Sequence, residues 1–173
     1  MDVRIERILE FWDYMQERYR RSREMVAPLG PRQTCWRPPG GGTSIGWQFL
    51  HLAEVMDFYL NGMLRRAEMS RPMTTYPGSK DPGTHDSLEQ IEPYAAGLRA
   101  DYRRYLLTLR GGDLDQMVDW PPGYEEAPVK RHWVITHLAE HESYHLGQVA
   151  LLYRMVTGLE EGDEVPQPAP ETC

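Results

Sequence analysis

Apolar side chains at Ile5, Ile8, Trp12, Met15 and Tyr19 recur in steps of three and four with Arg and Glu between them, the spacing of one buried helix face. A first helix is therefore predicted over about Asp2 to Met25. The segment APLGPRQTCWRPPGGGTS reads as a loop, because its prolines lack amide hydrogens and its glycines carry an entropic cost in a helix. A second stripe, Ile45, Phe49, Leu52, Met56, Tyr59 and Met63, predicts a helix from about Ile45 to Met69, with Thr43 or Ser44 placed to accept the free amides of its first turn. The next stretch, SRPMTTYPGSKDPGTHD, is broken by three prolines and two glycines and should be a long connection with a mobile tip.

Helix three is expected from near Ser87, where Ser87 and Gln90 have the spacing of a capping box, with Pro93 either kinking it or marking a later start. Gly111 and Gly112 end it. After the Pro- and Gly-rich connection GGDLDQMVDWPPGYEEAP, helix four should run from about Val129 to Val156, with Gly158 placed to stop it. No alternating run is long enough to predict a strand. The pattern thus points to an all-α domain over residues 1–158, a four-helix bundle with long connecting loops, followed by an acidic, proline-rich tail, 159–173, expected to be disordered.

A chain of 173 residues suits a single domain. No apolar run approaches the ~20 residues needed to cross a bilayer, and MDVRIERILE carries charge where a signal peptide needs apolar residues, so a cytoplasmic protein without membrane contact is expected. The two cysteines, Cys35 and Cys173, cannot build a disulfide framework or a Cys-based zinc site, and both are expected as free thiols. A net charge of −7, with arginines interleaved among acids, argues against nucleic acid as a partner.

Chemistry concentrates in helix four, where four of the six histidines fall in RHWVITHLAEHESYHLGQ. His141 and His145 are one helical turn apart and can both direct a ring nitrogen at a point about 2.0–2.1 Å away, as a metal requires. His137 lies eight residues before His145, about 12 Å along the axis, too far to share the ion, and reads as a supporting or pocket-lining residue. The stripe Leu138, His141, His145, Gln148 and Leu152 is predicted to face the core, where bare imidazoles would need partners. His51, beside the apolar line of Val55 and Phe58 on helix two, is the natural third ligand. Three imidazoles leave a coordination position open, the mark of a reactive site. The alternative is that these histidines are ordinary helix residues. His85 and His132 read as surface residues, and Trp47, Trp133 and Tyr144 as packing residues, with Tyr144 also close enough to touch a substrate.

His141-Glu142-Ser143-Tyr144-His145 also matches HExxH, in which a glutamate activates zinc-bound water, so a zinc metalloprotease with Glu142 as general base is an alternative. Against it, Leu151 stands where the extended metzincin pattern needs a third histidine. Glu142 also points about 100° away from its ligand neighbour around the helix.

The pairing of WQFLHLAEVMDFYL in helix two with WVITHLAEHESYHLGQVALLYR in helix four resembles the DinB-like (DinB/YfiT) superfamily, most specifically in His141, Glu142, His145, Gly147 and Gln148 together with the upstream His51. The resemblance implies an up-down-down-up bundle, frequent homodimers, and a zinc or nickel ion on His51, His141 and His145. It implies no single reaction; members with assigned roles include transferases and isomerases that use a low-molecular-weight thiol. The expected function is therefore a divalent-metal-dependent enzyme that activates a thiol or water for attack on a small-molecule substrate, with Gln148 positioning substrate or water. A non-catalytic module, in which the ion only ties helix two to helix four, is the third reading.

Overall fold

Asp2 opens the first helix, α1 (Val3–Val26), by accepting the Arg4 amide at 2.8 Å, as an N-cap carboxylate does. This is a computed structural model, and it describes residues 2–75 and 87–158. The buried face of α1 is Ile5, Leu9, Trp12, Met15, Tyr19 and Val26; Ile8, assigned to that face from its spacing, packs at its edge instead. A single turn, α2 (Pro31–Thr34), interrupts the predicted loop, with proline at the helix start, where a missing amide hydrogen does no harm.

Ser44, not Thr43, caps α3 (Ile45–Asp57), accepting the Trp47 amide at 3.2 Å. Every residue of α3 is buried, because it packs against both α4 (Leu88–Thr108) and α5 (Arg131–Gly158). The helix continues as a π-helical segment, Phe58–Arg65. It stops short of the predicted Met69, because Arg66 adopts left-handed torsions (φ 53°, ψ 44°) and the Ala67 amide turns back onto the Asn61 carbonyl. Helix α4 carries the expected capping box: Ser87 Oγ accepts the Gln90 amide at 3.3 Å and Gln90 Oε1 accepts the Ser87 amide at 2.8 Å. The helix begins at Leu88 and runs through Pro93, so that proline does not delay its start.

The predicted absence of strands is corrected in one place. A 3₁₀ turn at Gly111–Asp115 leads into β1 (Met117–Val118), which pairs antiparallel with β2 (Val129–Lys130). Val129 thus belongs to this ribbon and α5 starts at Arg131, whose amide continues the pairing by bonding to the Gln116 carbonyl at 2.9 Å. Two residues per strand are too few to show as alternation.

The chain is mostly helical, with α1 and α3 each packed on both α4 and α5 around one apolar core. Among the described residues no helix is long and apolar enough to cross a membrane. Cys35 is buried in the core. Cys173, His85, the tip of the connection before α4 and the predicted disordered tail lie outside the described residues.

Candidate metal centre

Packing α3 against α5 brings together His51, His141 and His145, which the sequence separates by up to 94 positions. His141 Nε2 lies 3.2 Å from His51 Nε2 and 3.1 Å from His145 Nε2. His51 and His145 are buried and His141 half-buried.

The other ring nitrogen of two of these residues is already committed. His51 Nδ1 sits 2.7 Å from the Thr75 carbonyl oxygen, to which it can only donate, and 3.1 Å from Thr75 Oγ1. His145 Nδ1 sits 2.5 Å from Gln48 Oε1. With both protons on Nδ1, the Nε2 atoms of His51 and His145 carry lone pairs aimed at the same small volume as His141 Nε2. Without an ion, His141 can donate its Nε2–H between them; with its proton on Nδ1 instead, it adds a third lone pair that a divalent cation can take. The residues therefore fit a divalent metal in donor type, tautomer and convergence. Burial pushes all three rings down, against the opposing pull of Thr75 and Glu54 on His51; neighbouring imidazoles add to the effect at His145, held to about 4, and His141, held to about 3, so the rings are neutral near pH 7, as ligation needs.

The supports of these rings form a buried polar line on α3. Gln48, His51, Glu54 and Asp57 follow one another at steps of three and all are buried. The Gln48 amide is held in turn: its Nε2 donates to Gln148 Oε1 at 2.6 Å and to Thr43 Oγ1 at 2.5 Å, which leaves Oε1 for His145. The fully buried Glu54 carboxylate accepts the backbone amides of Thr74 and Thr75 at 2.9 and 2.8 Å, and both hydroxyls as well. It thereby fixes the carbonyl that orients His51. Asp57 fastens the same connection one turn later, accepting the Ser70 amide at 2.7 Å and the Tyr94 hydroxyl at 2.8 Å. Trp47 stacks on the His51 ring at 4.6 Å and 16°.

Gln148 Oε1 accepts from the Gln48 amide and so supports the residue that holds His145. His137 lies with its ring centre 6.0 Å from that of His141 and stacks on Trp133 at 4.7 Å. Tyr144 is largely exposed and meets His145 edge-on, and His132 is on the surface as expected. Trp47 is buried as predicted, whereas Trp133 is part-exposed.

Glu142 is placed elsewhere. Its carboxylate is 2 % exposed and takes a two-pronged bond from Arg99, at 2.7 and 3.2 Å. That guanidinium also donates to Gln16 and lies 3.9 Å from the centre of the Tyr19 ring. Burial pushes the Glu142 carboxyl up against the pull of Arg99. One residue on from His141, it projects into the core toward α4 rather than at the imidazoles, so the general-base reading of HExxH finds no support in this geometry.

Sequence reasoning missed Gln48, Glu54, Thr75 and Arg99. The first two were visible as polar residues in the otherwise apolar run WQFLHLAEVMD. Thr75 sits in an aperiodic connection, and nothing local marks Arg99 as the partner of Glu142.

The family model of the DinB superfamily matches residues 14–149. Among solved structures, one described as the "conserved protein of locus from Enterococcus faecalis" shares the fold with a TM-score of 0.69 at 19% identity, over 88% of this chain and 96% of that one. No curated protein matches. Since the match runs from within α1 to beyond the HxxxH pair of α5, this chain belongs to the DinB superfamily.

Proposed function

We propose that this protein is a divalent-metal-dependent enzyme whose ion, zinc or nickel, is held by His51, His141 and His145 and serves to activate a thiol or a water for attack on a small electrophilic substrate. The observation that carries the reading is the convergence of three Nε2 atoms, two of them with Nδ1 already spent on Thr75 and Gln48. A divalent ion at an open three-imidazole site supplies Lewis acidity that makes a bound thiol or water nucleophilic near neutral pH. The chain's own part is to hold the rings neutral and in one tautomer through Gln48, Gln148, Thr75 and Glu54. The four long helices are taken to close as an up-down-down-up bundle, and family resemblance favours a cytoplasmic homodimer.

The test is metal analysis of protein purified without a nickel column or chelator, followed by turnover assays. One equivalent of zinc or nickel is expected, lost in His145→Ala and retained in the surface variant His132→Ala. Equal metal in both variants overturns the assignment. Loaded protein is then given electrophiles with bacillithiol, mycothiol, glutathione or coenzyme A, small esters and amides without thiol, and casein. Turnover of small substrates that is lost in His141→Ala supports the reading. Casein cleavage lost in both His141→Ala and Glu142→Gln would replace it with the protease reading. Stoichiometric metal with no turnover in any panel would replace it with a structural role.

A further inference from the structure

The π-helical segment Phe58–Arg65 and the connection after β1 form a second feature beside the histidines. Pro121 to Tyr124 make a tight turn, closed by the Tyr124 amide on the Pro121 carbonyl at 3.2 Å, with Gly123 at φ +96°, a torsion that glycine adopts without strain. Trp120 is anchored by its indole N–H, which donates to the Ala127 carbonyl at 3.0 Å. The turn stacks Tyr124 on Trp120, ring centres 6.0 Å apart, and sets the Phe58 ring 5.2 Å from Tyr124 and 6.4 Å from Trp120.

These rings, with Gly62, Pro121 and Pro122, line an open cavity of about 740 Å³, a size usual for small-molecule sites. The ring contacts continue toward the histidine cluster. Phe58 meets Tyr59 at 5.3 Å, Tyr59 meets His137 at 5.5 Å, and His137 meets His141 at 6.0 Å. Trp133, stacked on His137, joins Trp120 at 6.1 Å. A chain of ring contacts thus runs from the cavity to the His141 ring.

Charge and spacing narrow what the cavity can take. Arg66 at the rim is ion-paired with Asp119, and Glu68 adds a further carboxylate, so the cavity offers no surplus positive charge to an anion. The rings touch one another, making a surface to stack on instead of a cage spread around a cation. Low-molecular-weight thiols are strongly polar, so such a surface suits the electrophile better than the thiol.

We propose that this cavity binds a flat, uncharged aromatic group of the substrate and directs the remainder of that molecule along Tyr59 and His137 toward His141. The direction of binding rests on the metal-enzyme reading above, but the presence of the subsite does not.

Calorimetric titration with 2-naphthol, and with its saturated counterpart decahydro-2-naphthol, separates stacking from plain apolar burial. Wild type should bind 2-naphthol several-fold tighter than the saturated alcohol. Trp120→Leu should weaken 2-naphthol roughly threefold to tenfold, the range expected for one aromatic contact. Gly62→Leu should abolish binding, because a side chain there grows into the cavity from a Cβ position 3.4 Å from Pro121. Both variants should keep wild-type circular dichroism and metal content. In wild-type protein loaded with cobalt(II), the naphthol proton signals should broaden relative to the zinc form, which needs no variant to fold. Equal affinity for the two alcohols, or undiminished binding in Gly62→Leu, overturns the subsite. Titrations are run on metal-free and metal-loaded protein, so a failure to find metal sinks the earlier reading alone, and absence of naphthol binding in both forms sinks this one alone.

Discussion

Glu142 shows most sharply how one residue's chemistry depends on its partner. Beside Arg99 it is half of a buried ion pair, and removing one charge leaves the other uncompensated in the core. Glu142→Gln should therefore destabilise the fold by about 3 kcal/mol or more in chemical denaturation while metal stoichiometry stays at the wild-type level. Wild-type stability with lost turnover would instead point to a catalytic carboxylate. Gln48 acts through His145: Gln48→Leu leaves the imidazole Nδ1 without its acceptor and should weaken metal affinity by roughly 10- to 100-fold, read by competition with a chelating dye. The imidazoles themselves set an acid limit. In the unfolded chain they take up protons near pH 6.5, whereas burial holds His145 down to about 4 and His141 to about 3 in the folded protein. Unfolding therefore binds protons between these values, and metal-free protein should keep full stability from these groups above about pH 6.5 and lose it as the pH falls toward 4. Melting temperatures across that range should show a shallower acid limb for His141→Gln than for wild type; parallel limbs would contradict the cause given.

At the scale of elements, α3 is the organising piece, apolar enough to be buried on every side yet carrying Gln48, His51, Glu54 and Asp57 in a row. Those polar groups are tolerated because each has its hydrogen-bond partners, and two of them anchor the connection at residues 70–75. The helix periods of α1 and α3 were legible in the sequence, as was the Ser87–Gln90 box. That box is exposed and independent of the site, so Ser87→Ala should cost about 1 kcal/mol in thermal or chemical melts without changing metal content. What periodicity did not reveal was the π-helical end of α3 and the ribbon β1–β2. Both depend on contacts beyond the local window: the turn of Ala67 back to Asn61, and the pairing of Met117 with Lys130.

At the scale of the whole molecule, the histidine cluster joins two helices distant in sequence, so an ion bound there favours the folded chain alone. Zinc in excess at about 100 times its dissociation constant should add roughly 2.7 kcal/mol of stability. The corresponding rise in melting temperature should vanish in His145→Ala and persist in His132→Ala. A rise of equal size in both would mean that zinc stabilises the fold from somewhere else.

The sequence by itself determined the helical class, the helix-four pair His141 and His145 one turn apart, and His51 as a candidate on an apolar helix, because helix period and i, i+4 spacing are local geometry. Only the tertiary structure decided the rest. It set the rotation of α3 against α5 that points His51 Nε2 at His141, the Thr75 and Gln48 acceptors that choose the tautomers, and the Arg99 guanidinium that takes Glu142 into the core. These are contacts across 24 to 97 positions of chain, and they follow from how helices dock and which rotamers the core admits, which no spacing along one helix encodes.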